Sequence, residues 1–361
     1  MHPFEAAVLA ALERASAQSK GRPAGYLAAL SGGADSSAMT AALASLLEAG
    51  SINALQAVHV NHGIRPQEEC AADEAASRAL CDSLHVSLAV AAVPRGAVAA
   101  YAREKHSGLE AAARCFRHKA LRKEQRRLGA GWVLALAHSR DDVLENVLMA
   151  VLRGAGPSGL GAMRRGGRLL ARPVIDLGRT EICAYLAERG IPFSTDASNA
   201  DTRFLRNRVR AVLVPLLDRE FPHWRKPLLR LWETQGLLSD ALVPAGLNDE
   251  TPLFRAEEAL FRACNSLVDG GRLKRDTARR FLRGEKAADL GSGLRLERKK
   301  GMIVVSQAGR GETAGFSVLI KKPGVYKLTG CTIAAKQNDD ASWTIAVYGA
   351  DSDRIQRQEQ F

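Results

Sequence analysis

The stretch LAALSGGADSSAMTAAL, residues 27–43, constrains the fold of this chain more than any other. An apolar run stops at two glycines and a set of hydroxyls, and a helical run opens directly behind them. Such a turn suits the carboxyl end of a buried parallel strand, where the first backbone N–H groups of the next helix face a ligand. Gly32 and Gly33 permit close approach, Ser31 and Ser36 can donate hydroxyls to phosphate oxygens, and Ser37 can cap the helix. The expected phosphate cradle therefore runs from Ser31 through Ala34 and Asp35 to Ser36. The pattern is neither GxxxxGK[ST] nor GxGxxG: no lysine follows the turn, and Asp35 stands where a bare phosphate site would not place a negative charge. An aspartate there makes sense if it holds Mg²⁺ beside a polyphosphate. It equally suits an acidic complement to the helix dipole in a Ser/Gly-rich N-cap.

The surrounding pattern supports the parallel sheet. Continuous apolar runs GYLAAL (25–30), ALQAVHV (54–60), VSLAVAAV (86–93) and WVLALAH (132–138) alternate with stretches of helical spacing, as strands buried on both faces do. The order implies an α/β, doubly wound, mostly parallel sheet of Rossmann-like kind. After residue 215 the alternation stops. A helical region follows, and then a small β-rich unit with short, turn-bounded runs such as LRLERK, MIVVSQ, FSVLIKK, VYKLTG and SWTIAVYG. Expected domains are thus 1–217, 218–285 and 286–361, the first catalytic, the second helical and the third β-rich. The tail DSDRIQRQEQF is polar and reads as disordered. No apolar run approaches the roughly 18 residues of a spanning helix, and the amphipathic N-terminus is no secretory signal, so a cytoplasmic protein without membrane contact is expected. The six cysteines form no C-x-x-C pair, which argues against a disulfide framework or a cysteine-rich zinc site.

Further motifs follow in order: HVNHGIRPQEE (59–69), LEAAARCFRH (109–118), LAHSRDDVLENVLMAVLRGAGPSGLGAM (136–163), ARPVIDLGRTEICAYL and DASNADTRFLRNRVR (196–210). S-G-G-x-D-S after a first strand resembles the signature of the PP-loop ATP pyrophosphatase superfamily. With the later motifs the chain resembles the tRNA(Ile)-lysidine synthase family over residues 25 to about 217. The resemblance is weaker in GEKAADLGSGLRLERKKGMIVV. It implies an ATP- and Mg²⁺-dependent ligase that joins free L-lysine to the wobble cytidine of a CAU-anticodon tRNA(Ile) through an adenylated cytidine, releasing AMP and pyrophosphate. Dimers are frequent in that family, so a homodimer is among the expected assemblies.

The resemblance implies roles for particular residues. Asp35 holds Mg²⁺ or activates ATP, and the loop grips the leaving pyrophosphate. Arg114 and Arg206 match arginines that contact ATP or substrate, with Arg117 the nearby alternative. A fixed guanidinium fork suits phosphate oxygens. Arg114 also lies among Arg117, Lys119, Arg122, Lys123, Arg126 and Arg127, which could form a solvated helix face. Asp142 and Glu145, three apart on one helix face, can hold one amine of lysine while its other amine attacks, or can serve the helix dipole. Glu110 lies similarly near a helix start. His59 and Asn61 are placed for adenine or ribose contacts, His62 with them, though loop packing explains all three as well. His138 lies near the nucleotide at a strand end. Here Leu136, Ser139 and Asn146 depart from the family's T-A-H-H-x-D-D-x-x-E-T, so a general-base role for a second histidine falls away. Asp141, Asp142 and Glu145 survive.

The formal net charge of +12 points to a polyanionic partner. Residues 202–230 hold eight Arg or Lys against two acids, with Phe204, Phe221 and Trp224 interleaved, as a phosphate-tracking surface with stacking options requires. They suit a basic amphipathic connection between domains too. The competing functions are another PP-loop enzyme (a tRNA thiolase, an amidotransferase subunit or an NAD synthetase) and a catalytically inactive tRNA-binding relative.

Overall fold

The computed structural model describes residues 1–16, 22–105, 108–167, 169–193, 205–242, 275–283, 287–291, 294–299, 302–307, 324–328, 331–337 and 343–349. It divides into two units, Met1–Gly236 and Leu237–Phe361.

The first unit is built on β1 (Gly25–Ala29), β2 (Leu55–Asn61), β3 (Ser87–Ala92), β4 (Trp132–Ala135), β5 (Gly166–Gly167) and β6 (Leu170–Ala171), in the sheet order β3-β2-β1-β4-β6-β5. All neighbours are parallel except β5, which runs antiparallel to β6 at the edge. The continuous apolar runs fulfil the expectation of two-faced burial, because the strand period of two sends alternate side chains to different cores. On one face Tyr26, Ala28, Leu55, Ala57, Val133 and Ala135 pack with α1 (Pro3–Ser16), α2 (Ala34–Glu48) and α8 (Arg179–Glu188). On the other, Leu27, Val58, Leu134 and Leu136 meet Leu121 of α5 (Leu109–Leu128). Helices α3 (Gln67–Ser83) and α4 (Ala97–Glu104) complete the crossovers between β2 and β4. The expected strand through 138 ends at Ala135, so His138 lies in the loop beyond it.

The chain moves from β1 through β2 to β3, then returns through α4 and α5 to lay β4 on the other side of β1. This reversal is a topological switch point, where the loops leaving adjacent strand ends diverge and open a crevice. The loop after β1 carries residues 31–33 and opens into α2 with Asp35 in its first turn, and that after β4 leads into α6 (Arg140–Leu152). Sheet topology thus brings together two motifs about a hundred residues apart in the chain.

Beyond the sheet, α7 (Pro157–Leu160) precedes β5, and α9 (Leu205–Arg208) leads through a π-helical turn, Val209–Leu213, into α10 (Val214–Glu220). Helix α11 (Arg225–Leu242) follows, its Trp232 packing on Val143 and Val147 of α6 and donating from Nε1 to the Ala162 carbonyl at 2.6 Å.

In the second unit the helix Arg275–Leu282 precedes two three-stranded antiparallel sheets. One has the order β7 (Ala287–Gly291), β8 (Leu294–Lys299), β9 (Met302–Gln307); the other β10 (Gly324–Leu328), β11 (Cys331–Gln337), β12 (Trp343–Gly349). A helical region followed by a β-rich unit is therefore present as expected. The run FSVLIKK and the polar tail lie outside the described residues. Among the described residues no helix is long and apolar enough to cross a membrane.

Candidate active site

The turn after β1 is shaped by one left-handed residue. Gly32 has φ +83°, a conformation that side chains bearing Cβ rarely adopt, whereas Gly33 is extended at φ −77°. Gly33 therefore owes nothing to backbone strain; its value is the open space above it. The hydroxyls are tied together: the Ser31 amide donates to Ser36 Oγ at 3.2 Å, the two Oγ atoms lie 3.1 Å apart, and Ser36 Oγ donates to the Gly33 carbonyl at 2.9 Å. Ser37 is buried, and its amide donates to the Gly33 carbonyl at 3.0 Å, closing the first helical turn. Ala34 is buried at the first helical position, and Asp35 follows it.

Asp35 looks across the switch point. Burial raises its pKa and the charge of Asp142 raises it further, against the opposing pull of Arg179 and Arg210. Arg179 Nη1, at the start of α8, donates to Asp35 Oδ1 at 3.1 Å. A buried carboxylate that feels a second one across the crevice forms a place where a cation is welcome. Among the described residues no three His, Cys, Asp or Glu side chains are grouped to hold a metal by themselves. Asp35 fits the other mode of Mg²⁺ binding, one or two carboxylates with the remaining positions left to substrate phosphates and water.

Asp142 and Glu145 lie together on α6, as their spacing predicts. Asp142 is the N3 residue of that helix, and its Oδ2 accepts from the Ser139 amide at 3.0 Å. Its other oxygen accepts from Arg206 Nη2 at 2.6 Å. Glu145 is 3% exposed and receives Arg206 Nε at 2.8 Å on Oε2. Arg210 grips it twice, Nε to Oε1 at 2.6 Å and Nη2 to Oε2 at 3.1 Å. Burial works against the charge of both guanidiniums, but the carboxylates outweigh it and hold both pKa values above the ordinary one. The π-helical turn Val209–Leu213 adjoins these contacts and carries Arg210 itself.

A second, basic group lies beside the first. His138 Nδ1 accepts from Arg172 Nε at 3.0 Å, which leaves Nε2 as the protonated nitrogen. Burial, then Arg172, Arg114, Arg117 and Arg206, pull its pKa down to about 2. His118 is held at about 4 by burial and by Arg114, Arg117, Arg122 and Arg172. Arg172 itself is lowered to about 10 by burial and by Arg114, and Arg117 is lowered by burial and by Arg114 and Arg206. Neutral histidines among mutually repelling arginines describe a region that attracts anions. His138 therefore presents a neutral ring with its N–H at Nε2.

The remaining expected residues are placed differently. His59 is buried with Nδ1 3.1 Å from the Leu30 carbonyl and 3.2 Å from Ser77 Oγ, so that nitrogen ties β1 to β2 and α3. Burial, first of all, lowers its pKa. Asn61 Oδ1 accepts from the Gly63 amide at 3.0 Å and shapes the turn after β2. His62 Nδ1 is buried without a hydrogen-bond partner, and burial with the charge of Arg117 lowers its pKa to about 4. Glu110 lies in the first turn of α5, within electrostatic reach of Arg117. In the basic stretch 202–230, Arg206 and Arg210 turn onto carboxylates, Arg225 pairs with Asp218, and Trp224 is buried; Phe221 stays exposed. Asp196, Ser198, Asn199 and Phe204 lie outside the described residues.

Sequence reasoning missed Arg172 and Arg179 as site residues and recorded Arg210 only within a motif. The one available signal was position: Arg172 directly follows the short apolar run at β6, at the carboxyl edge where a parallel sheet collects its ligands.

Residues 8–217 match the PP-loop domain family. Similar proteins carry the name tRNA(Ile)-lysidine synthase. That of Chromobacterium violaceum is 39% identical over 205 residues, covering 55% of this chain and 44% of its own. That of Treponema denticola is 37% identical over 208 residues, covering 57% and 44%. That of Geobacter sulfurreducens is 40% identical over 262 residues, covering 71% and 51%. The chain spans about half the length of these curated relatives. With the turn 31–36 at the switch point of a parallel sheet and the family match over more than half its residues, the chain belongs to the PP-loop domain family of ATP-binding proteins.

Proposed function

We propose that this chain ligates L-lysine to the wobble cytidine of a CAU-anticodon tRNA(Ile), by way of an adenylated cytidine. The carrying observation is the pairing of two chemistries across one crevice: a glycine turn with Asp35 on β1's side, and the half-buried Asp142 with the buried Glu145 on β4's side. The names of the similar proteins support the same reading.

Cytosine presents a carbonyl oxygen at C2 that is no leaving group. In the first step that oxygen attacks the α-phosphorus of ATP, and the bond to the β-phosphate breaks with release of pyrophosphate. The turn 31–36 offers N–H and O–H donors for this departing group, and the arginines around His138 suit the phosphate charge near the reacting centre. Mg²⁺, when bound, would neutralise phosphate charge, and Asp35 is the residue to hold it. In the second step a neutral amine of lysine forms the C–N bond, AMP leaves with the former carbonyl oxygen, and the amine gives up a proton. Asp142 and Glu145 are the groups to orient the amino acid by its second, protonated amine. The oxygens they offer are those that Arg206 and Arg210 occupy, so the amine must share them or displace a guanidinium.

The test is incorporation of labelled lysine into unmodified CAU-anticodon tRNA(Ile), with and without ATP, with methionine tRNA as competitor. Incorporation that needs ATP and favours the isoleucine tRNA is expected. No incorporation while ATP is consumed in the presence of tRNA would refute lysine as the nucleophile and keep only the PP-loop chemistry.

A further inference from the structure

Arg179 opens α8 at a corner where that helix, α6 and the turn after β1 meet. Its backbone is pinned. The Arg179 amide donates to Asp141 Oδ2 at 2.7 Å, and the Gly178 amide before it donates to Glu181 Oε2 at 2.9 Å. Arg140 staples the same corner from α6: its amide donates to the Leu177 carbonyl at 2.9 Å, Nη1 to the Asp176 carbonyl at 3.1 Å and Nη2 to Glu181 Oε2 at 2.6 Å. The first turns of α6 and α8 are thereby tied together, and they fix the point from which the Arg179 side chain reaches out.

The side chain itself is lightly held. Its half-exposed guanidinium donates from Nη1 to Asp35 Oδ1 at 3.1 Å and lies 5.6 Å from the centre of the Phe193 ring. Arg206 and Arg210, by contrast, each grip Asp142 or Glu145 through two hydrogen bonds of 2.6–3.1 Å. An ion pair that keeps its solvent is the weaker kind. Of these three arginines, Arg179 is the one that a stronger anion draws away most readily.

Such an anion is expected beside it. The turn 31–36 offers backbone amides and the hydroxyls of Ser31 and Ser36, all neutral donors, and no lysine follows it. When the bond from the α-phosphorus of ATP to the bridging oxygen breaks, its electron pair leaves on the pyrophosphate, where neutral donors meet the charge only in part. Asp35, in the first turn of α2, brings Arg179 next to that turn. The same carboxylate is the one proposed to hold Mg²⁺. A carboxylate shared with the ion holds a guanidinium less well, because the two cations repel.

We infer that Arg179 is a pyrophosphate-binding residue: its guanidinium pairs with Asp35 until nucleotide arrives, then passes to the β- and γ-phosphates and supplies from α8 the cation that the turn lacks. The planar fork of arginine suits the exchange, since carboxylate and phosphate offer it similarly paired oxygens. The inference rests on the proposed reading of the turn as the seat of the leaving pyrophosphate. It adds a residue 144 positions further along the chain.

The experiment titrates the 361-residue chain with magnesium pyrophosphate, MgATP and AMP by calorimetry, as wild type, Arg179→Gln, Arg179→Lys, Asp35→Asn and Asp35→Asn/Arg179→Gln. Loss of one charge-assisted contact should weaken pyrophosphate and MgATP roughly ten- to hundredfold in Arg179→Gln, and Arg179→Lys should regain part of it. AMP, which has no β- or γ-phosphate, should change by less than about threefold in Arg179→Gln. The Asp35→Asn pair separates a phosphate contact from a mere counter-charge. Removing Arg179 should still weaken pyrophosphate at least roughly tenfold where no carboxylate remains for it to neutralise. Wild-type pyrophosphate affinity in Arg179→Gln, an equal loss for AMP, no further loss in the Asp35→Asn background, or no pyrophosphate binding by wild type overturns the assignment. The expected binding pattern without lysine incorporation would instead overturn the proposed reaction and leave Arg179 as a pyrophosphate ligand.

Discussion

Replacing Glu145 by Gln separates the part that the α6 carboxylates play in the fold from the amine-holding role proposed for them. The side chain is 4% exposed and accepts three guanidinium hydrogen bonds of 2.6–3.1 Å from Arg206 and Arg210. Glutamine keeps the volume but removes the charge and turns an NH₂ donor toward guanidinium donors. Removing one partner of a fully buried pair costs about 3–5 kcal/mol. Both arginines retain water, at 30% and 45% side-chain exposure, and Asp142 still receives Arg206, so about 1.5–3 kcal/mol is the better figure. At about 2–4 °C per kcal/mol for a unit of this size, the melting temperature should fall by roughly 3–12 °C. On the reaction side, one charge-assisted contact to an ammonium is lost, again about 1.5–3 kcal/mol, or a roughly ten- to hundredfold rise in KM for lysine. Thermal unfolding gives the first number, and a lysine titration of the incorporation assay gives the second. A variant with the expected thermal shift but unchanged lysine KM would refute the amine-holding role and leave Glu145 as an anchor for the helix that carries Arg206 and Arg210.

Other expectations follow from the same charges. Asp35 has a raised pKa in the fold, so the folded state binds the proton more tightly than the unfolded chain, and its carboxylate costs stability above that pKa. Asp35→Asn should therefore raise the melting temperature at neutral pH while abolishing turnover; a lowered melting temperature would mean that the Arg179 contact outweighs the burial cost. His62, His118 and His138 are pushed down to about 4, 4 and 2, so between 6.5 and those values the unfolded chain takes up protons that the fold refuses. Their contribution is complete above pH 6.5 and is lost as the pH falls, at up to about 1.4 kcal/mol per pH unit for each histidine. Urea midpoints measured from pH 7.5 to 4.5 should decline accordingly, and His118→Gln should flatten the curve. Gly32→Ala should cost about 1 kcal/mol or more through its left-handed backbone. Gly33→Ala should leave stability nearly unchanged, its new methyl meeting only Ser31 Oγ at 3.8 Å, yet weaken ATP binding; equal stability losses would remove the distinction drawn between the two glycines.

How much of this was legible in the sequence depended on whether a signal was local. The strands of the parallel sheet could be read because burial on both faces writes an unbroken apolar run into four consecutive segments. Asp35 stood out because a phosphate turn does not ordinarily carry an acid, and Asp142 with Glu145 because a spacing of three fixes a helix face. The arginines answering these acids left no such mark. Arg210 meets Glu145 across 65 residues of chain, Arg179 meets Asp35 across 144, and Arg172 meets His138 from beside a strand only two residues long, too short for any period. A guanidinium in sequence is simply one of many on a basic chain; only the fold decides whether it neutralises a carboxylate, silences a histidine or faces water. The stretch 202–230 has the more conspicuous mix of cations and aromatics, yet its Arg206, Arg210 and Arg225 turn onto acids and its Trp224 is buried. For recognition of a polyanion, what counts is the cation left uncompensated after folding, a quantity that composition does not contain and that the pairing across the switch point sets.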